Sequence, residues 1–234
     1  MNKELVIFND PRSPISEIFR TLRTNLQFMS QSKGSQALLV TSTNAGEGKS
    51  WVTANLAIAI SQTDKKVIII DGDMRKGRAH LIFERAQKPG LSNLLSGVND
   101  DNEKILNELD DYIQHTNIAN LDLISSGNIP PNPSELLILP QMPDLIAKLK
   151  EKYDYVIIDG TPCALVTDAL ILSRIVESVL VVASCKETKK KDLQRVVENL
   201  NNVGGKIAGI ILNRVPMSSK RYEKTYYYGK SERI

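Results

Sequence analysis

The chain has 234 residues, of which 41% are hydrophobic and 24% charged, and its formal net charge is only +3. This length suits one large α/β domain better than two small ones. The composition argues against a mainly disordered chain and against a general nucleic-acid-binding surface. The N-terminus lacks a secretory signal pattern and no apolar run reaches the length of a membrane span, so we expect a cytoplasmic protein without direct membrane insertion.

The first predicted element is an amphipathic helix from about Ile15 to Met29. Apolar residues recur there at helical spacing, and Pro14 precedes them as a helix start signal. Glu17, Arg20 and Arg23 lie three residues apart and therefore share one flank of this helix. By themselves, these three charges are typical of a solvated surface.

Apolar runs typical of strands then alternate with helical segments. This alternation predicts a parallel sheet with helices on both faces, in which a ligand binds at the carboxyl ends of the strands. The predicted strands are Ala37–Ser42, Val67–Asp71, Leu121–Ser126, Tyr155–Asp159, Val179–Ser184 and Ile207–Asn213. The predicted helices are Lys49–Ser61, Leu91–Leu95, Ser134–Leu139, Asp144–Lys150, Asp168–Val176 and Thr188–Asn202.

The strongest motif is Gly46-Glu47-Gly48-Lys49-Ser50, which lies between the first strand and its helix. Glycines allow backbone N–H groups to approach phosphates closely at a helix N-terminus. We expect Lys49 to reach the β- and γ-phosphates and the hydroxyl of Ser50 to bind magnesium. Thr43 replaces the first glycine of the usual phosphate-loop pattern. The motif nevertheless predicts a P-loop that binds ATP with Mg²⁺.

Acidic residues end two of the predicted strands. Asp71 and Asp73 follow one apolar run, and Asp159 follows another. Carboxylates at the ligand edge of a sheet, close to a phosphate loop, are typical of magnesium ligands and of catalytic bases. We therefore predict a catalytic or metal-binding role for Asp71 and Asp73, and a Walker-type magnesium role for Asp159.

The last 16 residues differ from the rest of the chain. They are polar and basic and contain four of the seven tyrosines. We therefore divide the chain into a nucleotide-binding domain, 1–218, and a disordered C-terminal tail, 219–234. The alternative is an aromatic patch that packs on the domain, but the surrounding sequence is too polar to bury.

Together, these features resemble bacterial tyrosine kinases, the family that regulates capsule and exopolysaccharide. The resemblance covers almost the whole chain. It includes the P-loop, the D-x-D-x-R sequence Asp71–Arg75, the late strand that ends at Asp159, the Glu-x-x-Arg-x-x-Arg helix, the segment Ser126–Leu137 and the tyrosine-rich tail. One departure follows Asp159, where Gly160-Thr161-Pro162 stands in place of the Thr/Ser-Pro-Pro that is more usual in the family, so that one proline is lost.

The resemblance implies an ATP-dependent protein-tyrosine kinase that autophosphorylates its tail in trans and regulates capsular or exopolysaccharide synthesis and export. The implied nucleotide-binding residues are Gly46, Glu47, Gly48, Lys49 and Ser50, with Asn213 at a position that resembles an adenine contact. The implied magnesium ligands are Ser50, Asp71, Asp73 and Asp159. The implied catalytic residues are Lys49, Asp71 and Asp73, and we favour Asp71 as the acceptor of the tyrosine proton. The implied phosphoacceptors are Tyr222, Tyr226, Tyr227 and Tyr228.

The resemblance also implies partners. Glu17, Arg20 and Arg23 would close a homo-oligomeric ring when the protein is unphosphorylated. A membrane-spanning activator of the polysaccharide co-polymerase type would recruit the kinase to the inner face of the cell membrane, and a cognate tyrosine phosphatase would reverse the modification.

Two other functions remain open from the sequence. One is a non-catalytic nucleotide switch in a polysaccharide export complex, because binding and transfer use the same residues. The other is a partition or positioning ATPase of the deviant-Walker type. Asn44 argues against that second alternative, since it occupies the position of the signature lysine of those ATPases.

Overall fold

The computed structural model describes residues 2–29, 34–97 and 109–216, and these contain a seven-stranded sheet with helices. The helices are α1 Val6–Asn9, α2 Pro14–Met29, α3 Lys49–Ser61, α4 Ala79–Ile82, α5 Leu91–Ser96, α6 Pro133–Ile138, α7 Gln141–Lys152, α8 Asp168–Ser173 and α9 Lys190–Asn202, with a 3₁₀ turn at Leu109–Tyr112. The strands are β1 Gln36–Ser42, β2 Val67–Asp71, β3 Gln114–His115, β4 Leu121–Ile124, β5 Tyr155–Pro162, β6 Ser178–Ser184 and β7 Ile207–Asn213.

The strand order is β3-β4-β2-β5-β1-β6-β7. The six strands from β4 to β7 in this order are parallel, which confirms the predicted α/β fold. The expectation of a parallel sheet needs one correction, because β3 pairs with β4 in the antiparallel direction. Two residues are too short for an apolar pattern, so the sequence carries no signal for β3.

Successive residues of the central strands face opposite sides of the sheet and enter two separate hydrophobic cores. In β1, Leu38 and Val40 pack into the core that includes α1, α2 and α3, whereas Leu39 packs into the core that includes α5, α7 and α8. Every residue of β1 and β2 is buried. Burial on both faces explains why these strands read as continuous apolar runs, and it confirms the predicted helices on both sides.

Three adjacent central strands bring the predicted site residues together. The P-loop follows β1, Asp71 ends β2, and Asp159 lies within β5. Asp71 is paired directly with Asp159 in the register of β2 and β5. Because parallel strands end at the same edge, motifs far apart in sequence converge at this carboxyl edge.

The predicted element boundaries agree closely with those of the structure for β2, α3 and β7 and differ elsewhere by a few residues. β5 continues three residues beyond Asp159, to Pro162. The short helices α1 and α4 have no counterpart in the prediction, because four residues carry no helical period. No helix within the described ranges is both long and apolar enough to cross a membrane.

Candidate nucleotide site

The P-loop takes the backbone shape that its glycines allow. Gly46 and Gly48 have φ angles of 80° and 96°, in the left-handed region that side chains disfavour. A Cβ atom at Gly48 would also lie 2.2 Å from Nδ2 of Asn213. No hydrogen bond within the described residues engages the backbone N–H groups from Gly46 to Gly48. These donors, at the N-terminus of α3, fit an anionic phosphate.

The carboxylate of Glu47 supports the loop from inside. Its side chain is buried and accepts hydrogen bonds from the backbone N–H of Asn44, at 2.9 Å, from Nδ2 of Asn44 and from the hydroxyl of Thr188. The sequence prediction grouped Glu47 with the nucleotide-binding residues. The structure places its side chain on the protein, where it joins the P-loop to the segment between β6 and α9.

The end of β7 clamps the same loop. Asn213 donates from Nδ2 to the backbone carbonyl of Glu47 at 2.8 Å, and Arg214 donates from Nη2 to the carbonyl of Gly46 at 2.7 Å. Oδ1 of Asn213 accepts the backbone N–H of Arg214. The structure therefore brings Asn213 to the P-loop, and its adenine contact stays a prediction.

Lys49 lies among the predicted carboxylates. Its Nζ is 3.1 Å from Oδ2 of Asp73, 3.8 Å from Oδ1 of Asp159 and 3.3 Å from Oγ of Ser50. Burial by itself lowers the pKa of Lys49, but the charges of Asp159 and Asp73 outweigh it and leave the pKa raised. Lys49 is therefore a fixed positive charge beside the free N–H groups of the loop.

Asp71 and Asp73 occupy different positions although they are two residues apart. Asp71 is fully buried, and its carboxylate accepts backbone N–H groups of Asp73 and Ala79 at 3.3 and 3.0 Å. Burial, with the nearby charge of Asp159 as the second cause, raises the pKa of Asp71 to about 8. Asp73 instead lines the cavity beside the P-loop and accepts backbone N–H groups of Arg75 and Lys76.

The donor atoms around Asp159 fit a magnesium ion. Oδ1 of Asp159 contacts Lys49 and lies 3.4 Å from the hydroxyl of Thr53, while Oδ2 is buried and has no hydrogen-bond partner within the described residues. Burial is the main cause that raises the pKa of Asp159. The Ser50 hydroxyl interacts with the same carboxylate. This hydroxyl and the unpartnered Oδ2 of Asp159 are therefore two suitable oxygen ligands for Mg²⁺.

The described residues contain no cluster of three or more His, Cys, Asp or Glu side chains that could hold a metal by themselves. This agrees with the usual binding of Mg²⁺ by one or two carboxylates together with substrate phosphates and water. The four predicted ligands, Ser50, Asp71, Asp73 and Asp159, therefore do not form a complete protein cage.

A cavity of about 350 Å³ opens beside the loop. Basic side chains predominate among its charged lining residues, which are Lys49, Asp73, Arg75, Lys76 and Arg78. Arg75 was not predicted as a site residue, although the D-x-D-x-R pattern contains it. Its guanidinium contacts Asp168 and Ser134, which come from distant parts of the chain and gave no signal as a site in the sequence.

The three predicted oligomerisation residues have partners within the chain. Arg20 forms an ion pair with Glu17 and donates to the carbonyl of Pro11 at 2.6 Å. Arg23 donates from Nη1 to the carbonyl of Ala59 in α3 at 2.8 Å. Their role in a ring stays a prediction. The predicted phosphoacceptors Tyr222, Tyr226, Tyr227 and Tyr228 lie outside the described residues, as does the rest of the tail.

Comparisons with known proteins found similar chains among bacterial tyrosine kinases. Residues 35–211 match the family described as AAA domain. The putative tyrosine-protein kinase CapB of Staphylococcus aureus is 36% identical over 228 residues, which cover 97% of this chain and 95% of CapB. Tyrosine-protein kinase wzc of Salmonella typhi is also 36% identical, but the chain spans only 30% of its length. The solved structure of the kinase domain of Escherichia coli tyrosine kinase ETK is 33% identical, with a TM-score of 0.85, and the match covers 94% of this chain and 83% of that one.

Proposed function

This chain belongs to the bacterial tyrosine kinases and is a protein-tyrosine kinase, and we propose that it transfers the γ-phosphoryl group of ATP to tyrosines of its own C-terminal tail. The observation that carries the proposal is the position of Lys49. Its ammonium lies between Asp73 and Asp159, directly beside backbone N–H groups that have no partner in the described structure. The Lys49 ammonium can then neutralise the phosphates, while the nearby carboxylates accept the tyrosine proton and bind the metal.

Binding comes first in the proposed mechanism. The N–H groups from Gly46 to Ser50 hold the phosphates, and Lys49 contacts the β- and γ-phosphates. Glu47, Asn213 and Arg214 keep the loop in the shape that exposes these donors. Asn213 would also contact the adenine, because its side chain lies against the P-loop that holds the phosphates.

Ser50 and Asp159 would hold magnesium directly or through water, with Asp71 and Asp73 beside them. The ion would supply positive charge to the phosphate oxygens and so favour departure of the leaving group. The buried, unpartnered Oδ2 of Asp159 supports this assignment.

Transfer itself needs one nucleophile and one base. The tyrosine Oη forms a bond to the γ-phosphorus, the bond from that phosphorus to the β–γ bridging oxygen breaks, and ADP leaves. The tyrosine proton passes to one carboxylate of the pair Asp71 and Asp73. The higher proton affinity that goes with its raised pKa favours Asp71 as the base in its ionised form, whereas the position of Asp73 on the cavity wall favours Asp73.

The wider biological role rests on family membership. We infer that the kinase regulates capsular or exopolysaccharide synthesis and export, that a membrane-spanning activator recruits it to the inner face of the membrane, and that a tyrosine phosphatase reverses the modification. We also infer a ring of subunits that phosphorylate one another's tails. The ring would use the surface of α2, where Glu17, Ile18 and Phe28 are exposed or partly exposed and Phe28 reaches 84% exposure.

Incubation of the purified protein with MgATP tests the proposed function. We expect phosphotyrosine at Tyr222, Tyr226, Tyr227 or Tyr228 by mass spectrometry, and none when all four are changed to phenylalanine. A nucleotide switch would bind ATP without forming phosphotyrosine, and a partition ATPase would release phosphate into solution instead. Either result in the parent protein would reject the proposal.

Light scattering of Arg20→Ala/Arg23→Ala against the parent tests the ring, because loss of the ring should leave a folded monomer.

A further inference from the structure

One wall of the nucleotide cavity contains a three-residue polar network that the mechanism above leaves unused. Arg75 donates from Nε to Oδ2 of Asp168 at 3.0 Å and from Nη2 to Oδ1 of Asp168 at 3.3 Å. The same Nη2 donates to Oγ of Ser134 at 3.2 Å, and Ser134 in turn donates to Oδ1 of Asp168 at 2.5 Å. The guanidinium is therefore held in a fork by one carboxylate and one hydroxyl.

The burial of this network shows what it is built to hold. Asp168 is completely buried, whereas the side chain of Arg75 is 39% exposed and lines the cavity. A buried carboxylate is unfavourable unless it is paired, and within the described residues its charged partner is Arg75. The carboxylate thus faces the protein, and the guanidinium that it holds faces the ligand space.

The main chain of Arg75 is fixed as well. Its backbone N–H donates to Oδ1 of Asp73, the carboxylate whose other oxygen contacts Lys49. In the described part of the chain, no hydrogen bond engages Nη1 of Arg75. A positioned guanidinium with N–H groups to spare is therefore placed on the wall of the cavity that Lys49 also lines. Arginine with unused donors is well suited to bind phosphoryl oxygens.

We propose that Asp168 and Ser134 are positioning residues, and that they hold Arg75 so that its remaining N–H groups contact the γ-phosphoryl group of the nucleotide. This inference rests on the proposed function and names a residue for the charge that develops during transfer. It also gives a role to the segment Ser126–Leu137, because Ser134 of that segment, in α6, hydrogen-bonds to Arg75 on the cavity wall. The N–H groups of the P-loop would hold phosphates that ATP and ADP share, whereas Arg75 would add a contact to the γ-phosphoryl group that only ATP carries.

The experiment compares Asp168→Asn with Glu4→Gln. Arg78 lines the same cavity and pairs with Glu4 at 3.0 Å, but Glu4 is partly exposed and Asp168 is buried. Each substitution therefore removes the carboxylate partner of one cavity-lining arginine. Calorimetric titration with ATP and with ADP measures binding without relying on activity, and steady-state kinetics separate kcat from KM. Thermal unfolding confirms that each variant is folded.

We expect Asp168→Asn to lower kcat and ATP affinity by roughly 10-fold or more while ADP affinity stays unchanged, because a charge-assisted contact to the γ-phosphoryl group is lost. Ser134→Ala should shift the same ratio of ATP to ADP affinity by less, and Glu4→Gln should leave it unchanged. If Asp168→Asn fails to fold, Arg75→Lys gives the same test, since it keeps the charge and loses the fork.

Equal loss of ATP and ADP affinity in Asp168→Asn or Arg75→Lys would overturn the inference, and so would parental kcat and an unchanged affinity ratio. Absence of tyrosine phosphorylation in the parent would reject the proposed function. The ratio of ATP to ADP affinity would still test the contact of Arg75, so the two failures are distinguishable.

Discussion

The two edges of the central sheet use the same charged residue types in opposite ways. At the carboxyl edge, Lys49 lies among Asp71, Asp73 and Asp159, and all four are buried or nearly so. Both Asp71 and Asp159 have raised pKa values, with burial as the main cause. One ammonium thus lies among three carboxyl groups, so these charges do not form separate one-to-one ion pairs.

At the amino edge, charges meet in separate pairs close to water. Lys65 contacts Asp154 at 2.9 Å and Lys152 contacts Asp110 at 2.6 Å, with all four side chains exposed by more than a third. The hydrogen bond from Lys65 is the main cause that holds the pKa of Asp154 below its ordinary value. Each of these charges has a partner of opposite sign within the protein, so none of them needs a ligand to neutralise it.

The amino edge also contains a concave region of about 510 Å³, larger than the cavity of about 350 Å³ at the carboxyl edge. Its lining includes His115, Asp122 and Tyr153, and the carboxylate of Asp122 already hydrogen-bonds to both of the other side chains. Volume alone would therefore select the wrong edge. Oδ2 of Asp159 at the carboxyl edge is buried without a hydrogen-bond partner in the described residues, and this favours that edge as the one that binds a ligand.

Lys49→Met should produce the largest effect, because it removes the ammonium that contacts Asp73 and Asp159. We expect ATP affinity to fall by roughly 100-fold or more and tyrosine phosphorylation to disappear, since the phosphates lose their charged partner. Calorimetric titration with MgATP measures the change. Parental affinity in a folded Lys49→Met variant would show that this edge does not bind the phosphates as proposed.

Asp71→Asn should separate function from stability. The folded-state pKa of about 8 lies above the ordinary value of 3.8, so the folded protein keeps a proton that the unfolded chain releases. The contribution of protonated Asp71 to the free energy of unfolding is therefore fully present below about pH 4 and is lost as the pH rises toward 8. The amide cannot ionise, although it loses one of the two backbone hydrogen bonds that Asp71 accepts. The thermal midpoint of the nucleotide-free variant should therefore fall less than that of the parent between pH 5 and pH 8, by roughly 5 °C.

The same variant should lose tyrosine phosphorylation more completely than ATP binding, because Lys49 and the loop remain. Thermal scans between pH 5 and 9, compared with Asp73→Asn, check the first expectation, and phosphotyrosine assays check the second. An Asp71→Asn protein whose thermal midpoint falls as much as that of the parent between pH 5 and pH 8 would contradict the view that burial opposes ionisation of this carboxyl group.

Glu47→Gln and Glu187→Gln sharpen the comparison within the carboxyl edge. The Glu47 carboxylate is buried behind the P-loop, whereas Glu187 is an exposed partner of Arg214. We expect Glu47→Gln to reduce ATP affinity by about 10-fold through a loosened loop, since one of its hydrogen bonds needs an acceptor that the amide nitrogen cannot provide. Similar affinities for both variants would show that burial does not decide the importance of these acids.

Lys65→Ala should have the smallest effect. The ion pair with Asp154 is exposed and lies at the opposite edge from the nucleotide cavity, and exposed pairs contribute little. Kinase rate and thermal midpoint should match those of the parent within experimental error. A clear loss of activity would mean that the amino edge is coupled to the site, and the contrast between the two edges would fail.

Much of this architecture was predictable from the sequence because its signals are local. The residues 46–50 predict a P-loop by themselves, since the glycines, the lysine and the serine must be consecutive to serve phosphates at a helix start. Strands such as Val67–Asp71 are buried on both faces and therefore appear as unbroken apolar runs. The convergence of Asp71 and Asp159 followed from the rule that parallel strands share a carboxyl edge.

Tertiary structure alone decided how these residues are supported. Asp168 is 93 positions from Arg75 in the chain, and Glu47 is 141 positions from Thr188. No spacing rule connects such residues, because their contacts depend on how helices and loops pack over the sheet. Local sequence thus determined which groups form the predicted phosphate site. Packing determined which carboxylates are buried, which atoms lack partners and which arginine is held at the cavity, since burial and hydrogen bonding depend on everything that surrounds a side chain.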